Sequence, residues 1–317
     1  MNCTMFNNIL RYRDTIKKMS VFLGNVKYFI VICCCWMIWS GCNVINPVEP
    51  TPTYVHVDSF SVTPNKFLPL QPYTLSHSIT TVWVYYDNNL IGEYDLPATF
   101  PIITDGTNKG KLELFPGIVI NGLNNNVDMY PFFQPDTGFT VVQNPGKITT
   151  YEPTTQYYTD TKIQHIANFD SGTILNFGLQ AGNVPIVAVT SPDSLVFEGT
   201  GSGSIYMTNP GIDSSVDSTV KSYVIDSGVS AYIEFNYKSD VPFYVGMSSN
   251  LSATIGSDPF YLAGINPSPT WQKFYLEITA FLNQYHGVNY KFYIKTSLPV
   301  GQSTGRLLID NIQLVTF

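Results

Sequence analysis

Short runs in which apolar and polar residues alternate recur along the chain from residue 54 onward. In the two clearest runs the apolar residues that share a face are Ala231, Ile233, Phe235 and Tyr237, and Tyr290, Phe292 and Ile294. A period of two is typical of an antiparallel strand with one buried face. Helical periodicity is confined to a turn or two near residues 280–285, so the pattern predicts an all-β protein.

Turn-forming residues separate these runs. Asp87 and Asn88 follow a predicted strand, and such residues tolerate the left-handed backbone of a tight hairpin turn. Pro97 and Pro101 lack the N–H that a central strand donates, which excludes a central position for their segment. Several short strands at roughly ten-residue spacing predict a small immunoglobulin-like β-sandwich over residues 54–151.

The length of the chain suits two domains. A polar segment rich in Thr and Tyr, residues 152–165, is predicted to link the first sandwich to a second domain over residues 166–317. Before the first sandwich, residues 42–53 contain three prolines and predict an extended spacer without a core.

The last predicted strand contains an irregularity. Leu307 and Ile309 share a face, but the apolar set resumes three residues later, at Ile312. One extra residue at Asp310 and Asn311 therefore predicts a β-bulge.

Four segments of the second domain occur together in a familiar order. They are residues 168–172, 197–206, 271–276 and 305–314. Together they resemble carbohydrate-binding-module jelly rolls of the galactose-binding-like type. The resemblance implies a jelly-roll β-sandwich and a surface that binds a glycan. The layout of the whole chain also resembles uncharacterised Bacteroidetes-type lipoproteins, a class that implies no particular chemistry.

The same resemblance implies a structural calcium site. In the family an Asp that matches Asp310 often joins residues near the first strand of the jelly roll. Calcium binds hard oxygen ligands, and the matching candidates are Asp170, Glu198 and Asp310. The alternative is that Asp310 only caps the bulge.

Aromatic side chains are the candidates for contact with a sugar, because sugar rings lay their C–H faces on Trp and Tyr. Trp271 opens a predicted strand, and Tyr244 lies beside a predicted core face. These two are the predicted ligand-binding residues, and ordinary packing is the alternative for each.

The most apolar stretch, residues 28–42, reads YFIVICCCWMIWSGC and follows a basic leader. It is shorter than the ~20 apolar residues of a membrane-spanning helix, and it predicts a signal peptide over residues 1–41, with Met19 as an alternative start. Its end resembles a bacterial lipobox, which implies cleavage before Cys42 and acylation of Cys42 with a fatty acid such as palmitate. An ordinary signal peptide or an uncleaved anchor is the alternative. The absence of cysteine after Cys42 favours the lipobox.

Charge and residue types exclude several functions. Beyond residue 41 the chain has 11 Lys and Arg against 22 Asp and Glu, a net charge near −11, which is the wrong sign for a nucleic-acid binder. The four histidines match no metal-ligand motif, and no cysteine follows Cys42 to serve as a nucleophile. Nothing in the sequence selects a carboxylate pair for glycoside hydrolysis.

The sequence therefore predicts a non-catalytic lipoprotein of the cell envelope, anchored to the outer membrane. It does not distinguish the periplasmic face of that membrane from the cell surface. The jelly roll is predicted to bind a glycan or another component of the envelope, which could be a protein. A fimbrillin-like or adhesin subunit is the alternative, and a glycoside hydrolase is a third reading.

Acylation at Cys42 is directly testable. Labelled fatty acid is expected to enter the wild-type protein in bacterial cells and not Cys42→Ala, because the thiol is the acylated group. Equal labelling of the two proteins would show that the lipobox interpretation is wrong.

Overall fold

The computed structural model describes residues 19, 26, 49–68, 73–103, 109–170, 175–190, 192–252, 255–256 and 258–317. Most of the predicted signal peptide, and Cys42 itself, lie outside the described residues. In the part that is described, no helix is long and apolar enough to cross a bilayer. Contacts divide the chain into Met1–Thr51 and one compact unit, Pro52–Phe317, in which both predicted domains lie.

The first part of this unit consists of short strands. They are β1 (Thr53–Val57), β2 (Ser61–Val62), β3 (Ile79–Tyr86), β4 (Asn89–Asp95), β5 (Ala98–Ile102), β6 (Lys109–Val119), β7 (Val127–Met129), β8 (Thr140–Val142), β9 (Ile148–Thr150) and β10 (Thr154–Thr155). Strands β4, β3, β6 and β7 form a sheet in that order, with β8 also paired to β6. A second sheet has the order β5, β1, β9, and β10 pairs with β2.

The turn chemistry of the first part agrees with the sequence. Asp87 and Asn88 have φ values of 47° and 62°, the left-handed conformation that the β3–β4 hairpin requires. Pro97 directly precedes β5, which contains Pro101, and among the described strands β5 pairs with β1 alone, at the edge of its sheet. The prediction that this segment is not a central strand is confirmed.

The second part contains longer strands and one short described helix. The elements are β11 (Lys162–Ala167), β12 (Phe177–Gly182), β13 (Val187–Val189), β14 (Ser202–Met207), β15 (Ser214–Thr219), β16 (Ala231–Ser239), β17 (Phe243–Ser252), β18 (Ile255–Gly256), β19 (Phe260–Ile265), β20 (Ser268–Glu277), α1 (Thr279–Tyr285), β21 (Asn289–Ser297) and β22 (Gly305–Thr316).

Two antiparallel sheets of the second part enclose its core. The β22 sheet has the order β13, β14, β22, β16, β20, with β11 also paired to β22. The β17 sheet has the order β12, β15, β21, β17, β18, with β19 also paired to β17. Residues of both predicted alternating runs, Phe235 and Phe292 among them, are fully buried in this core. The protein is all-β, with two β-sandwiches, as the pattern predicts.

The predicted bulge in the last strand is also confirmed. Opposite β16, Gln313 pairs with Glu234 and Asp310 pairs with Asn236, so β22 contains one more residue than its partner over this interval. Asn311 has a φ of 50°, and its N–H donates to Asp310 Oδ1 at 2.7 Å. The carboxylate therefore caps the bulge.

The first sandwich packs on the outer face of the β22 sheet. Tyr232 and Tyr275 project outward from β16 and β20 and are buried in the core of the first sandwich. The ring of Tyr130 lies 5.3 Å from that of Tyr232 and 5.1 Å from that of Tyr275, measured between centroids. The outer face of the β22 sheet thus contributes aromatic residues to the core of the first sandwich, which is separate from the core enclosed by the two sheets of the second.

A charged pair is buried at this interface between the first sandwich and the β22 sheet. Lys273 Nζ is 2.7 Å from Glu234 Oε2, and the two side chains are 1% and 0% exposed. Tyr130 of the first sandwich and Tyr157 of the segment 152–165 donate their hydroxyls to Glu234, Tyr157 at 3.0 Å to Oε1. Gln313 Nε2 donates to Oε2 at 3.0 Å. Burial first, and then the charge of Glu234, raise the pKa of the Tyr130 and Tyr157 hydroxyls well above the ordinary value, which keeps both as donors.

The segment predicted as a linker differs from the expectation. Within residues 152–165, β10 pairs with β2 of the first sandwich, and β11 pairs with β22 of the second. Between them Tyr157 is 1% exposed and reaches Glu234. The segment is polar in composition because its polar groups pair with both sandwiches. The precise domain boundaries stay a prediction.

Removal of one partner of the buried pair is expected to be costly. Lys273→Met leaves the Glu234 carboxylate buried without its cation, and we expect a loss of about 3–5 kcal/mol in the free energy of unfolding measured in urea. Lys111→Met is the matched control, because the Lys111–Glu113 pair is exposed at Lys111 and is expected to contribute about 0–1 kcal/mol. Equal losses in the two variants would contradict the assigned role of the pair.

Candidate functional site

The outer face of the β17 sheet carries three neighbouring tyrosines. Tyr244 on β17 is 50% exposed, Tyr261 on β19 is 36% exposed, and Tyr293 on β21 is half-buried. The ring centroids of Tyr244 and Tyr261 are 6.1 Å apart. Lys295 Nζ lies 5.2 Å from the centroid of the Tyr261 ring. We call Tyr244, Tyr261, Tyr293 and Lys295 the tyrosine face.

Local strand geometry turns these side chains outward. Tyr244 lies between Phe243 and Val245, which are both buried in the core, so the pleat of β17 directs it to the opposite face. Tyr261 is two residues before the buried Ala263, and regular alternation would turn it inward. The β17–β19 register instead shifts, with one extra residue between Tyr261 and Ala263. This bulge turns Tyr261 outward.

A glycine separates two of the rings. Gly246 pairs with Tyr293 on one side and with Tyr261 on the other. A Cβ at Gly246 would lie 2.1 Å from the carbonyl oxygen of Phe260, so a larger residue would push β19 away. The glycine therefore allows the close approach of β19 and leaves a gap between the two tyrosines.

The tyrosine face combines apolar ring surface with hydrogen-bonding groups. Tyrosine rings offer apolar area at low conformational cost, and their hydroxyls donate and accept hydrogen bonds. Burial first, and then the neighbouring Tyr293, raise the pKa of the Tyr261 hydroxyl, so this group stays protonated. The combination suits a ligand with apolar faces and hydroxyl groups at its edges, such as a sugar ring.

Trp271 does not lie on this face. It belongs to β20 in the β22 sheet, whereas Tyr244 belongs to the β17 sheet. The Trp271 ring packs on Phe197, with the centroids 5.2 Å apart, and the side chain is half-buried. The two predicted ligand-binding residues are therefore not brought together. Tyr261 was missing from the sequence prediction because only the bulge reveals its orientation.

The three predicted calcium ligands lie at one corner of the second sandwich. Asp310 Oδ2 accepts hydrogen bonds from Ser202 Oγ at 2.8 Å and from the Glu198 N–H at 3.4 Å. Glu198 Oε2 accepts from Asn311 Nδ2 at 2.7 Å, and Asp170 Oδ1 accepts from the Thr200 N–H at 2.5 Å. Each of the three carboxylates therefore accepts at least one hydrogen bond from a group of the protein itself.

Among the residues that the structure describes, no three His, Cys, Asp or Glu side chains form a group that could hold a metal ion. Calcium at this corner stays a prediction of the sequence. Burial, with a smaller contribution from the charge of Asp170, raises the pKa of Asp310 to about 7, although the hydrogen bonds that Asp310 accepts lower it.

Two other buried acids have structural partners. Asp213 accepts from the N–H groups of Thr208 and Asn209 at 2.8 and 3.0 Å and from Asn183 Nδ2 at 2.8 Å. These bonds, with that from Thr208 the largest contributor and that from Asn183 next, lower its pKa to about 2. Asp217 accepts from the Ile186 N–H at 3.2 Å, and burial raises its pKa. Each carboxylate accepts hydrogen bonds from the backbone of a loop or a strand end, and this structural role accounts for its burial.

The raised pKa of Asp310 has a consequence for stability. The folded pKa is above the unfolded value of about 3.9, so the folded state holds the proton more tightly and stability falls as pH rises through about 7. In chelator we expect wild type to lose about 2–3 kcal/mol between pH 5 and pH 8 relative to Asp310→Asn, measured by urea unfolding. If calcium binds this corner, it should offset the loss at pH 8, because a cation favours the ionised carboxylate. Parallel pH curves for the two proteins would contradict the raised pKa, and identical curves in calcium and chelator would contradict calcium binding.

Comparisons with known proteins give distant structural likenesses. No family model and no curated protein matches the chain. The chain is similar to the enzymatically active domain of bacteriophage CBA120 tailspike protein 4, at 13% identity and a TM-score of 0.38, over 48% of this chain and 21% of that one. It thus spans about a fifth of that protein.

Other similar structures are carbohydrate-binding modules. A mutant of CBM29-2 complexed with cellulohexaose has 12% identity and a TM-score of 0.32, over 49% of this chain and 91% of that one. A carbohydrate-binding module of the β-sandwich superfamily, described as promiscuous in specificity, has 12% identity and a TM-score of 0.36, over 75% and 85%. Likenesses this distant assign neither a ligand nor an activity to the present chain.

Proposed function

We propose that this protein is a non-catalytic lipoprotein of the cell envelope that binds a neutral glycan through the tyrosine face. The observation that carries the proposal is the cluster of Tyr244, Tyr261 and Tyr293 on an open sheet surface, with Lys295 beside it. Large rings at a solvent-facing surface, with hydroxyl and ammonium groups at their edges, match the faces and hydroxyls of a sugar.

The position of the face within the fold supports this proposal. The outer side of the β22 sheet is largely covered by the first sandwich, which buries Tyr232 and Tyr275. The outer side of the β17 sheet keeps Tyr244 half exposed. Aromatic residues on a covered face contribute to stability, whereas those on the open face remain accessible to a ligand.

Charge supports a neutral ligand. The chain beyond residue 41 has a net charge near −11, which repels polyanions over several ångströms. Lys295 is close to Tyr261 and is positioned to donate to a hydroxyl. A neutral polysaccharide meets no such repulsion.

The envelope location rests on the sequence. The lipobox-like end of the apolar stretch puts a lipid on Cys42, and the proline-containing residues 43–53 hold the compact unit off the membrane. Anchoring to the outer membrane rests on the resemblance of the layout to Bacteroidetes-type lipoproteins, and a glycan partner on the resemblance of the second domain to carbohydrate-binding modules.

A donated or detachable strand, as in a polymerising subunit, is disfavoured. Strand β22 pairs with β16 on one side and with β14 and β11 on the other. Its removal would open the centre of a sheet, so the observations favour a binding protein over a fimbrillin-like subunit.

Glycan binding is testable with the chain from Thr51 onward. We expect retention in native gels that contain at least one of a panel of neutral plant, host and bacterial polysaccharides, with a Kd in the millimolar-to-micromolar range, or ~4 to 8 kcal/mol. Tyr244→Ala and Tyr261→Ala are each expected to weaken binding at least tenfold, because each removes ring surface from the tyrosine face.

Two control variants sharpen this experiment. Tyr206→Ala removes a tyrosine of similar exposure, 47%, from β14 on the other sheet and is expected to bind as wild type does. Trp271→Ala tests the residue that the sequence predicted, and its position away from the tyrosine face leads us to expect little change. Absence of retention on every polysaccharide by the folded wild type would overturn the proposed function.

A further inference from the structure

A cavity of about 210 Å³ lies where the first sandwich meets the edges of both sheets of the second. We call it the junction cavity. The first sandwich contributes Ser78 and Asn124, and the second contributes Tyr237, Asn266, Gln272 and Lys273. Because its walls come from both parts, the cavity exists only when the two sandwiches are packed together.

The free edge of β20 forms one wall of this cavity. The Asn121 N–H donates to the Tyr275 carbonyl at 3.0 Å, and Asn121 Oδ1 accepts from the Glu277 N–H at 2.8 Å. The backbone groups of Tyr275 and Glu277 thus point away from β16. In an antiparallel pair this orientation recurs every second residue, so the N–H and C=O of Lys273 point the same way, toward the cavity.

The lining is polar but carries little net charge. Three side-chain amides and one serine hydroxyl supply both donors and acceptors; they belong to Asn124, Asn266, Gln272 and Ser78. The Lys273 ammonium is 2.7 Å from the Glu234 carboxylate, which balances its charge. An anion would therefore gain little here, whereas a ligand with several hydroxyls can exchange hydrogen bonds with every wall.

Ring surface completes the lining. Tyr237 and Phe274 both border the cavity, and their rings are 6.3 Å apart between centroids. The cavity opens to solvent at its exposed lining residues Asn124, Asn266 and Gln272. Its volume of about 210 Å³ suits one sugar ring.

We propose that the junction cavity is a second binding site, for a single neutral sugar residue. Amide and backbone groups bond its hydroxyls, and the aromatic wall contacts its apolar face. The inference does not depend on the tyrosine face, since none of the tyrosines of that face lines the cavity.

The two sites are nevertheless neighbours. Gly264 lines the cavity, and a Cβ on this glycine would lie 3.1 Å from the Tyr244 ring. A sugar residue at the end of a chain can therefore occupy the cavity while the following residues lie toward Tyr244.

The test uses saturation-transfer NMR on the chain from Thr51 onward, with the methyl glycosides of glucose, galactose, mannose and xylose as probes. At least one probe is expected to bind wild type. Asn124→Tyr, which adds a ring at the wall, is expected to weaken that binding at least tenfold. Asn125→Tyr, the same change at the next position, which is also exposed but does not line the cavity, is the matched control and is expected to bind as wild type does.

Two further variants keep the outcome decisive. Gln272→Ala removes one amide without added bulk and is expected to weaken binding several-fold, which covers the case that Asn124→Tyr does not fold. Tyr244→Ala is expected to keep methyl-glycoside binding while it loses polysaccharide retention. If no methyl glycoside binds wild type, or if binding survives in both Asn124→Tyr and Gln272→Ala, the junction-cavity proposal is overturned. Loss of polysaccharide retention alone bears only on the proposed function.

Discussion

The buried pair of Glu234 and Lys273 constrains the whole structure. Charges inside a protein are tolerated only when they are paired and hydrogen-bonded. Here Gln313 of the second sandwich, Tyr130 of the first sandwich and Tyr157 of the segment between them donate to Glu234. If another surface packed on this face, Glu234 would be buried without the Tyr130 and Tyr157 donors. If the sandwiches separated, the buried rings of Tyr232 and Tyr275 would be exposed to water. The network therefore fixes which faces of the two sandwiches meet.

This constraint decides where a ligand can bind. Since the first sandwich occupies the outer side of the β22 sheet, the open surface of the second sandwich is the outer side of the β17 sheet, where Tyr244 and Tyr261 lie. The same packing closes the junction cavity from a wall of each sandwich. The interface between the sandwiches thus forms the junction cavity and leaves the tyrosine face exposed.

The candidate site was only partly predictable. Tyr244 is identified by alternation, because its neighbours Phe243 and Val245 are core residues. Alternation does not identify Tyr261, because an extra residue in β19 turns its side chain from the core face to the outer face. The sequence pattern does not show this extra residue. Trp271 and Tyr244 look equivalent along the chain, yet they belong to different sheets. Pairing between distant strands determines which side chains share a surface, and that pairing is not local information.

Local chemistry determined the strands, the β3–β4 hairpin, the edge position of β5 and the bulge at Asp310, because each depends on alternation, backbone conformation or a missing N–H within a few residues. The sequence also carried the all-β class and the sign of the charge. Only the tertiary structure decided that Glu234 and Lys273 are buried together, that residues 152–165 pair with both sandwiches, and that three tyrosines from separate strands form one face. These features depend on contacts between residues far apart in the chain. The local pattern of apolar and polar residues does not show which distant residues will be in contact.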